Sequence, residues 1–190
     1  TILLHPHYLR QRQIEYHQFP FLEKVLIINN VNDVDLVKHS AQKWVDEVYS
    51  DLDKLLARTK EAMNNKEAVS LAYEGNVVDL WERLVKENVK VDIGSDQTSL
   101  HNPWAGGYYP AGFSLEESNK MMAENPMQFK IEVQKTLVRH ANAINSLSSK
   151  GMYFFDYGNA FLLEAGRAGG DVYLDIPPLR GGQGGAAFKY

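Results

Sequence analysis

Residues 89–112 read VKVDIGSDQTSLHNPWAGGYYPAG, and this stretch decides how the chain is interpreted. Its first part, 89–93, has the composition of a short β-strand. Six hydrogen-bonding side chains follow within seven positions: Asp96, Gln97, Thr98, Ser99, His101 and Asn102. In parallel α/β sheets, ligands bind beyond the carboxyl ends of the strands. The stretch therefore predicts a polar ligand site at the end of a strand.

Strand and helix patterns alternate on both sides of this stretch. Strands are predicted at 24–31, 68–73, 89–93 and 152–157. Helices are predicted within 33–64, where Ser50 and Asp53 can cap a second helix. Further helices are predicted at 76–88, at 114–124, after Asn125-Pro126, and at 158–169. The helix at 114–124 begins with a capping box formed by Ser114 and Glu117. Such alternation predicts βαβ units and a parallel α/β sheet.

The composition sets bounds on the class of protein. The chain has 190 residues, 44% of them apolar, which suffices for one domain with a core. Its formal net charge of -4 gives no electrostatic attraction for nucleic acid. No apolar run approaches the roughly 20 residues that span a bilayer, so we expect no membrane partner. The absence of cysteine excludes disulfides within this chain and favours the cytoplasm.

Three predicted strand ends carry the residues most suited to a ligand. Gly75-Asn76 follows the second strand, the polar run 96–102 follows the third, and Gly158-Asn159 follows the fourth. A strand-to-helix turn directs backbone amides and a helix N-terminus outward, where they favour anions. The polar run would face the bound ligand, and Gly106 and Gly107 would let the chain close over it.

These residues also resemble a known family. GNVVDLWERL at 75–84, the string at 91–112 and FFDYGNAFLLEAGRAG at 154–169 resemble the central NAD-binding domain of urocanase, urocanate hydratase. The resemblance implies an α/β fold of the Rossmann-like, three-layer type with a mainly parallel sheet. It divides the chain into an unmatched segment at 1–24, the NAD-binding domain at 25–172 and a glycine-rich unmatched tail at 173–190.

The function implied by the resemblance is that of a cytoplasmic, homodimeric hydro-lyase of histidine degradation. Such an enzyme adds water to its substrate urocanate to give imidazolonepropionate, with NAD+ acting as an electrophile. The family's catalytic residues fall outside this chain, so no catalytic residue is assigned and we expect the chain alone to be inactive. The implied NAD+ contacts are Asn76, Val77, Gln97, Thr98, Ser99, Leu100, His101, Tyr108, Tyr109 and Tyr157.

The sequence departs from the family pattern in several places. Asn30 stands where the family has an acidic residue suited to a ribose, and Asp35 stands where it has an arginine. The family's phosphate-binding glycine loop is expected upstream of residue 24, but residues 1–23 contain no glycine. A Gly-x-Gly-x-x-Ala motif lies within 180–187, for which a flexible tail is the favoured interpretation.

Two hypotheses stay open on these residues. The intact run from 96 to 109 favours an NAD+-binding domain of a urocanate hydratase. The missing glycine loop and the absence of cysteine favour a noncatalytic relative with a structural or interaction role. Metal binding is not expected, because the N-terminal His5, His7 and His17 have no carboxylate at ligand spacing.

Overall fold

The computed structural model describes residues 2–3 and 25–30 as strands, and 45–96, 103–156, 160–174 and 187–190 with their side chains. The described strands form one sheet in the order β3-β4-β2-β1-β5-β6, and every pairing within it is parallel. The strands are β1 (Ile2–Leu3), β2 (Val25–Asn30), β3 (Glu47–Tyr49), β4 (Val69–Glu74), β5 (Ile93–Asp96) and β6 (Tyr153–Asp156). The predicted parallel α/β sheet is confirmed.

The strand order reverses next to β1. From β1 the chain continues to β2, β3 and β4 on one side of the sheet, then crosses over to β5 and β6 on the other side. Ligands of such sheets bind at the carboxyl ends of the strands where the order reverses. Here that point lies between β1 and β5, and the polar run of the sequence follows β5 directly.

Helices cover the sheet. They are α1 (Leu52–Asn65), α2 (Val77–Lys86), α3 (Leu115–Glu124), α4 (Pro126–Ser148) and α5 (Ala160–Arg167), with a short 3-10 helix at Pro103–Ala105. The long helix α4 contacts α2, α3 and α5. It does so through residues spaced three or four apart, which lie on one helical face. These include Phe129, Val133, Leu137, Ile144 and Leu147, all buried.

The second helix predicted within 33–64 is confirmed as α1, but the helix predicted before it is wrong for the part that the structure describes. Glu47–Tyr49 forms β3 at the edge of the sheet, paired with Leu71–Tyr73 of β4. The cap of α1 is Asp51 rather than Ser50, because its carboxylate accepts hydrogen bonds from the amides of Asp53 and Lys54. Pairing with β4 overrides the helical spacing of the apolar residues.

The strand predicted at 89–93 begins later, at Ile93. The Val89 amide donates to the Leu84 carbonyl at 3.0 Å, so this residue is hydrogen-bonded to the last turn of α2. Val89 and Val91 are buried within the connection, which explains their apolar alternation without a strand. The shift puts Asp96 in the last position of β5.

The end of the chain returns to the domain. Tyr173 and Phe188 form an antiparallel bridge, and the Lys189 amide donates to the Val172 carbonyl at 2.9 Å. The Tyr190 hydroxyl donates to Asn145 Oδ1 of α4 at 2.5 Å. Most of the predicted flexible segment, 180–187, lies outside the described residues, but 187–190 are fixed against the domain.

Candidate functional site

The turn between β4 and α2 contacts the end of the loop that follows β5. Asn76 caps α2, and its side-chain oxygen accepts a hydrogen bond from the Val78 amide at 3.0 Å. Its side-chain Nδ2 donates to the backbone carbonyl of Tyr109 at 3.0 Å. The structure thus brings together two of the predicted segments, Asn76 with Val77 and Tyr108 with Tyr109.

The Tyr108 side chain is buried and contacts His140 of α4. Its side chain is only 4% exposed, and its hydroxyl lies 3.2 Å from Nδ1 of His140. The two rings are stacked with their centroids 6.4 Å apart. Burial raises the pKa of the Tyr108 phenol well above its usual value, so the hydroxyl stays protonated. Its side chain belongs to the core of the domain.

Tyr109 closes over the preceding glycine turn. Its hydroxyl donates to Asn119 Oδ1 of α3 at 2.9 Å, and its ring meets Phe129 edge to face. Gly106 has a positive φ of 86°, and a Cβ there would lie 3.3 Å from the Tyr109 hydroxyl. The positive φ therefore favours glycine at 106, and any larger residue would also require the Tyr109 hydroxyl to shift slightly.

Two carboxylates mark the ends of β5 and β6: Asp96 is buried and Asp156 is partly buried. Asp96 and Asp156 are register partners in the last positions of the two strands. The Asp156 carboxylate accepts a hydrogen bond from the Leu162 amide of α5 at 3.0 Å, and burial raises its pKa. The predicted site residues after these carboxylates, Gln97, Thr98, Ser99, Leu100, His101 and Tyr157, lie outside the described residues.

Sequence reasoning missed His140. This residue of α4 is fully buried, and Phe161 and Trp81 flank its ring with centroids 4.4 and 5.9 Å away. Burial lowers its pKa to about 3, so the ring is neutral. A histidine on the apolar face of α4, three positions after Leu137 and four before Ile144, was the signal in the sequence.

His140 lies between the end of β5 and the Tyr108 hydroxyl. Its Nε2 is 3.9 Å from Asp96 Oδ2, which is longer than a hydrogen bond. This nitrogen is buried without a hydrogen-bond partner within the described part of the chain. Asp96, His140, Tyr108, Tyr109 and Asn76 consequently form one continuous set of contacts between β5 and α2.

The negative charge of Asp79, in the first turn of α2, is partly offset by Arg139. Arg139 of α4 donates two hydrogen bonds of 2.8 Å to Glu82, and its guanidinium lies 3.8 Å from the Asp79 carboxylate. Burial raises the pKa of Asp79, and the charge of Arg139 opposes that shift. Arg139 therefore offsets part of the negative charge that would otherwise repel an anion near this helix end.

The donor groups at this edge fit a dinucleotide. The first four amides of a helix have no partner within the helix, and Asn76 satisfies the amide of Val78 without adding a charge. The positive end of the α2 dipole can then face a phosphate. Asn30 ends β2 and pairs with Glu74 of β4, at the edge where such folds bind a ribose.

The described residues show neither a metal-binding cluster nor a membrane-spanning helix. Within them, His, Asp and Glu form no cluster of three or more suited to a metal ion. No described helix is both long and apolar enough to cross a bilayer.

The parallel sheet, its reversal of strand order and the capped turn at its carboxyl edge define a Rossmann-like α/β domain. The family model described as the Urocanase Rossmann-like domain matches residues 19–182. The chain belongs to the urocanase family. The match includes all of 25–172, while the division into three segments stays a prediction.

Relatives of known name agree with this family. The chain is 52% identical over 167 residues to a probable urocanate hydratase of Dictyostelium discoideum, covering 87% of this chain and 24% of that protein. It is 53% identical over 151 residues to a urocanate hydratase of Mus musculus, covering 77% and 22%. It is 48% identical over 169 residues to that of Homo sapiens, covering 86% and 24%. The chain thus spans about a quarter of the length of these relatives.

Proposed function

We propose that this chain is the NAD+-binding domain of a urocanate hydratase. Its membership in the urocanase family and its Rossmann-like fold support a dinucleotide site. The single observation that carries the proposal furthest is the 3.0 Å hydrogen bond from Asn76 to the Tyr109 carbonyl. This bond joins two segments that the family resemblance assigns to the cofactor, although they are 33 positions apart in the sequence.

The residues that would hold the cofactor are the ten predicted contacts, of which Tyr108 would contribute through its backbone, because its side chain is buried in the core. Asn76 and Val77 present the N-terminus of α2, which suits a phosphate. Tyr109 and the glycine turn before it would cover the bound molecule and exclude water. Gln97, Thr98, Ser99, Leu100 and His101 would supply further contacts after β5, and Tyr157 after β6. When bound, NAD+ supplies an electrophile for the addition of water to urocanate, which gives imidazolonepropionate in histidine degradation.

The complete enzyme would be a cytoplasmic homodimeric hydro-lyase with urocanate as its substrate. Because this chain matches about a quarter of the length of its relatives, residues outside it would supply the remaining catalytic groups. We therefore expect no loss of urocanate absorbance with this chain alone. The alternative, a noncatalytic structural or interaction module, differs in predicting no affinity for NAD+.

Calorimetric titration with NAD+ tests the proposal, together with mass spectrometry of gently purified protein for bound cofactor. We expect one NAD+ per chain. Gln97→Ala should weaken binding by roughly five- to 150-fold, because removing one partner of a buried polar contact costs about 1 to 3 kcal/mol. Absence of NAD+ binding to the unsubstituted protein would favour the noncatalytic module.

A further inference from the structure

One imidazole contacts both ends of the loop that follows β5. Asp96 is the last residue of β5, and Tyr108 lies at the far end of the loop. Nε2 of His140 lies 3.9 Å from the Asp96 carboxylate, and Nδ1 lies 3.2 Å from the Tyr108 hydroxyl.

The surroundings of His140 determine its tautomer. A neutral imidazole has one nitrogen that donates and one that accepts. A proton on Nε2 faces the Asp96 carboxylate favourably, whereas a lone pair there would be repelled. Nδ1 is then the acceptor, and the Tyr108 hydroxyl is its donor. The tautomer thus allows favourable interactions at both ends of the loop.

A histidine with only a structural role would be less favourable here than an apolar ring. His140 is fully buried among Trp81, Phe161 and Tyr108, where a phenylalanine ring would also fill the space. Its Nε2 has no hydrogen-bond partner among the described residues, and an unpaired buried donor is unfavourable. The imidazole gains its advantage only through the loop ends that it faces.

We propose that His140 is a positioning residue for the cofactor-binding loop, holding Asp96 and Tyr108 at a fixed separation from beneath. This inference rests on the proposed function of the chain. Fixing the two ends of a loop removes conformational freedom before the ligand arrives, so less entropy is lost on binding. The carbonyl of Tyr109, which Asn76 binds, is placed by the same anchor.

The test compares the unsubstituted protein with His140→Phe, Tyr108→Phe and the double variant. Without NAD+, amide hydrogen exchange should rise between Asp96 and Tyr108 but not in β4. NAD+ affinity should fall by roughly tenfold in each single variant, a size typical of one lost hydrogen bond to a buried group. The double variant should lose little more, because both changes remove the same interaction.

Thr59→Val is the matched control. Thr59 is fully buried in α1 and its hydroxyl donates to the Leu55 carbonyl, so this change also removes a buried polar group. It should alter neither loop exchange nor NAD+ affinity. If His140→Phe does not fold, Tyr108→Phe still tests the anchor, because it removes a single oxygen atom.

Three outcomes would overturn the inference. They are unchanged exchange in the loop, an equal rise throughout α2 and α4, and unchanged NAD+ affinity in folded His140→Phe or Tyr108→Phe. The equal rise would mark His140 as an ordinary core residue. A lack of NAD+ binding by the unsubstituted protein would instead contradict the proposed function, and the two failures can therefore be told apart.

Discussion

The caps of α1 and α2 occupy equivalent places but differ in chemistry. Each follows the carboxyl end of a parallel strand, Asp51 after β3 and Asn76 after β4. The exposed carboxylate of Asp51 accepts hydrogen bonds from two amides and so satisfies its helix end with its own negative charge. Asn76 is neutral, accepts from one amide and donates to the Tyr109 carbonyl. Only the second helix end remains suited to an anionic ligand.

The polar contacts around these two helix ends differ in the same way. Near α1, Arg58 bridges Glu47 and Glu67, and all three are at least partly accessible to water. Near the loop, His140, Asp96 and Tyr108 are buried, and one nitrogen lacks a hydrogen-bond partner within the described chain. Satisfied polar groups in contact with water are typical of structural contacts, whereas a buried and incompletely satisfied set is more often associated with function.

Acidification should produce the largest effect on stability and should separate the two regions. The pKa of His140 is lowered on folding to about 3, so the unfolded chain takes up its proton first as the pH falls. Its contribution to stability is present above its unfolded pKa, near 6.5, and is lost below it. One such group changes the free energy of unfolding by at most about 1.4 kcal/mol per pH unit.

The carboxylates near α1 should respond only at lower pH. Hydrogen bonds from Arg58 lower the pKa of Glu47 and Glu67, so their contribution is lost below about 4.5. Burial raises the pKa of Asp79 and Asp156, so protonation of these two carboxylates at lower pH favours the folded state instead. Chemical denaturation of the protein and of His140→Phe between pH 7 and 4.5 measures the difference. Equal slopes would contradict the assignment of a buried neutral His140, whose ring faces Asp96 and Tyr108.

Removing each cap should give a smaller and more selective effect. Asp51→Ala and Asn76→Ala should each lower the free energy of unfolding by about 1 kcal/mol, the usual cost of a lost N-cap. Only Asn76→Ala should also weaken NAD+ binding, because only Asn76 reaches the loop. Thermal melts and NAD+ titration of both variants provide the check. Equal loss of NAD+ affinity in the two would mean that general destabilisation explains the result.

Local interactions made part of this structure predictable from the sequence. The capping box of α3 is present in both directions, with the Ser114 amide donating to Glu117 and the Glu117 amide donating to Ser114 Oγ. It depends on residues three positions apart, so the sequence pattern determines it. The bounds of α2 follow similarly from its apolar periodicity and from the Asn76 cap.

Contacts distant in the sequence could not be predicted in this way. His140 and Tyr108 are 32 positions apart, and their meeting depends on how α4 lies against the loop. The edge strand β3 was missed because pairing with β4, rather than its own periodicity, determines its conformation. The candidate site was inferred from the resemblance of its residues to a family, while the proposed role of His140 rests on contacts seen only in the packed structure.

Giving α2 an aspartate N-cap, as in α1, is the most direct test of the claim that the N-terminus of α2 binds the cofactor. Asn76→Asp keeps an effective N-cap, but it removes the donor to the Tyr109 carbonyl and adds a negative charge where NAD+ is expected. NAD+ titration by calorimetry should show a loss of affinity of at least about tenfold, the equivalent of 1.4 kcal/mol, in a protein that still unfolds cooperatively. NAD+ affinity equal to that of the unsubstituted protein would contradict the placement of the cofactor at this helix end.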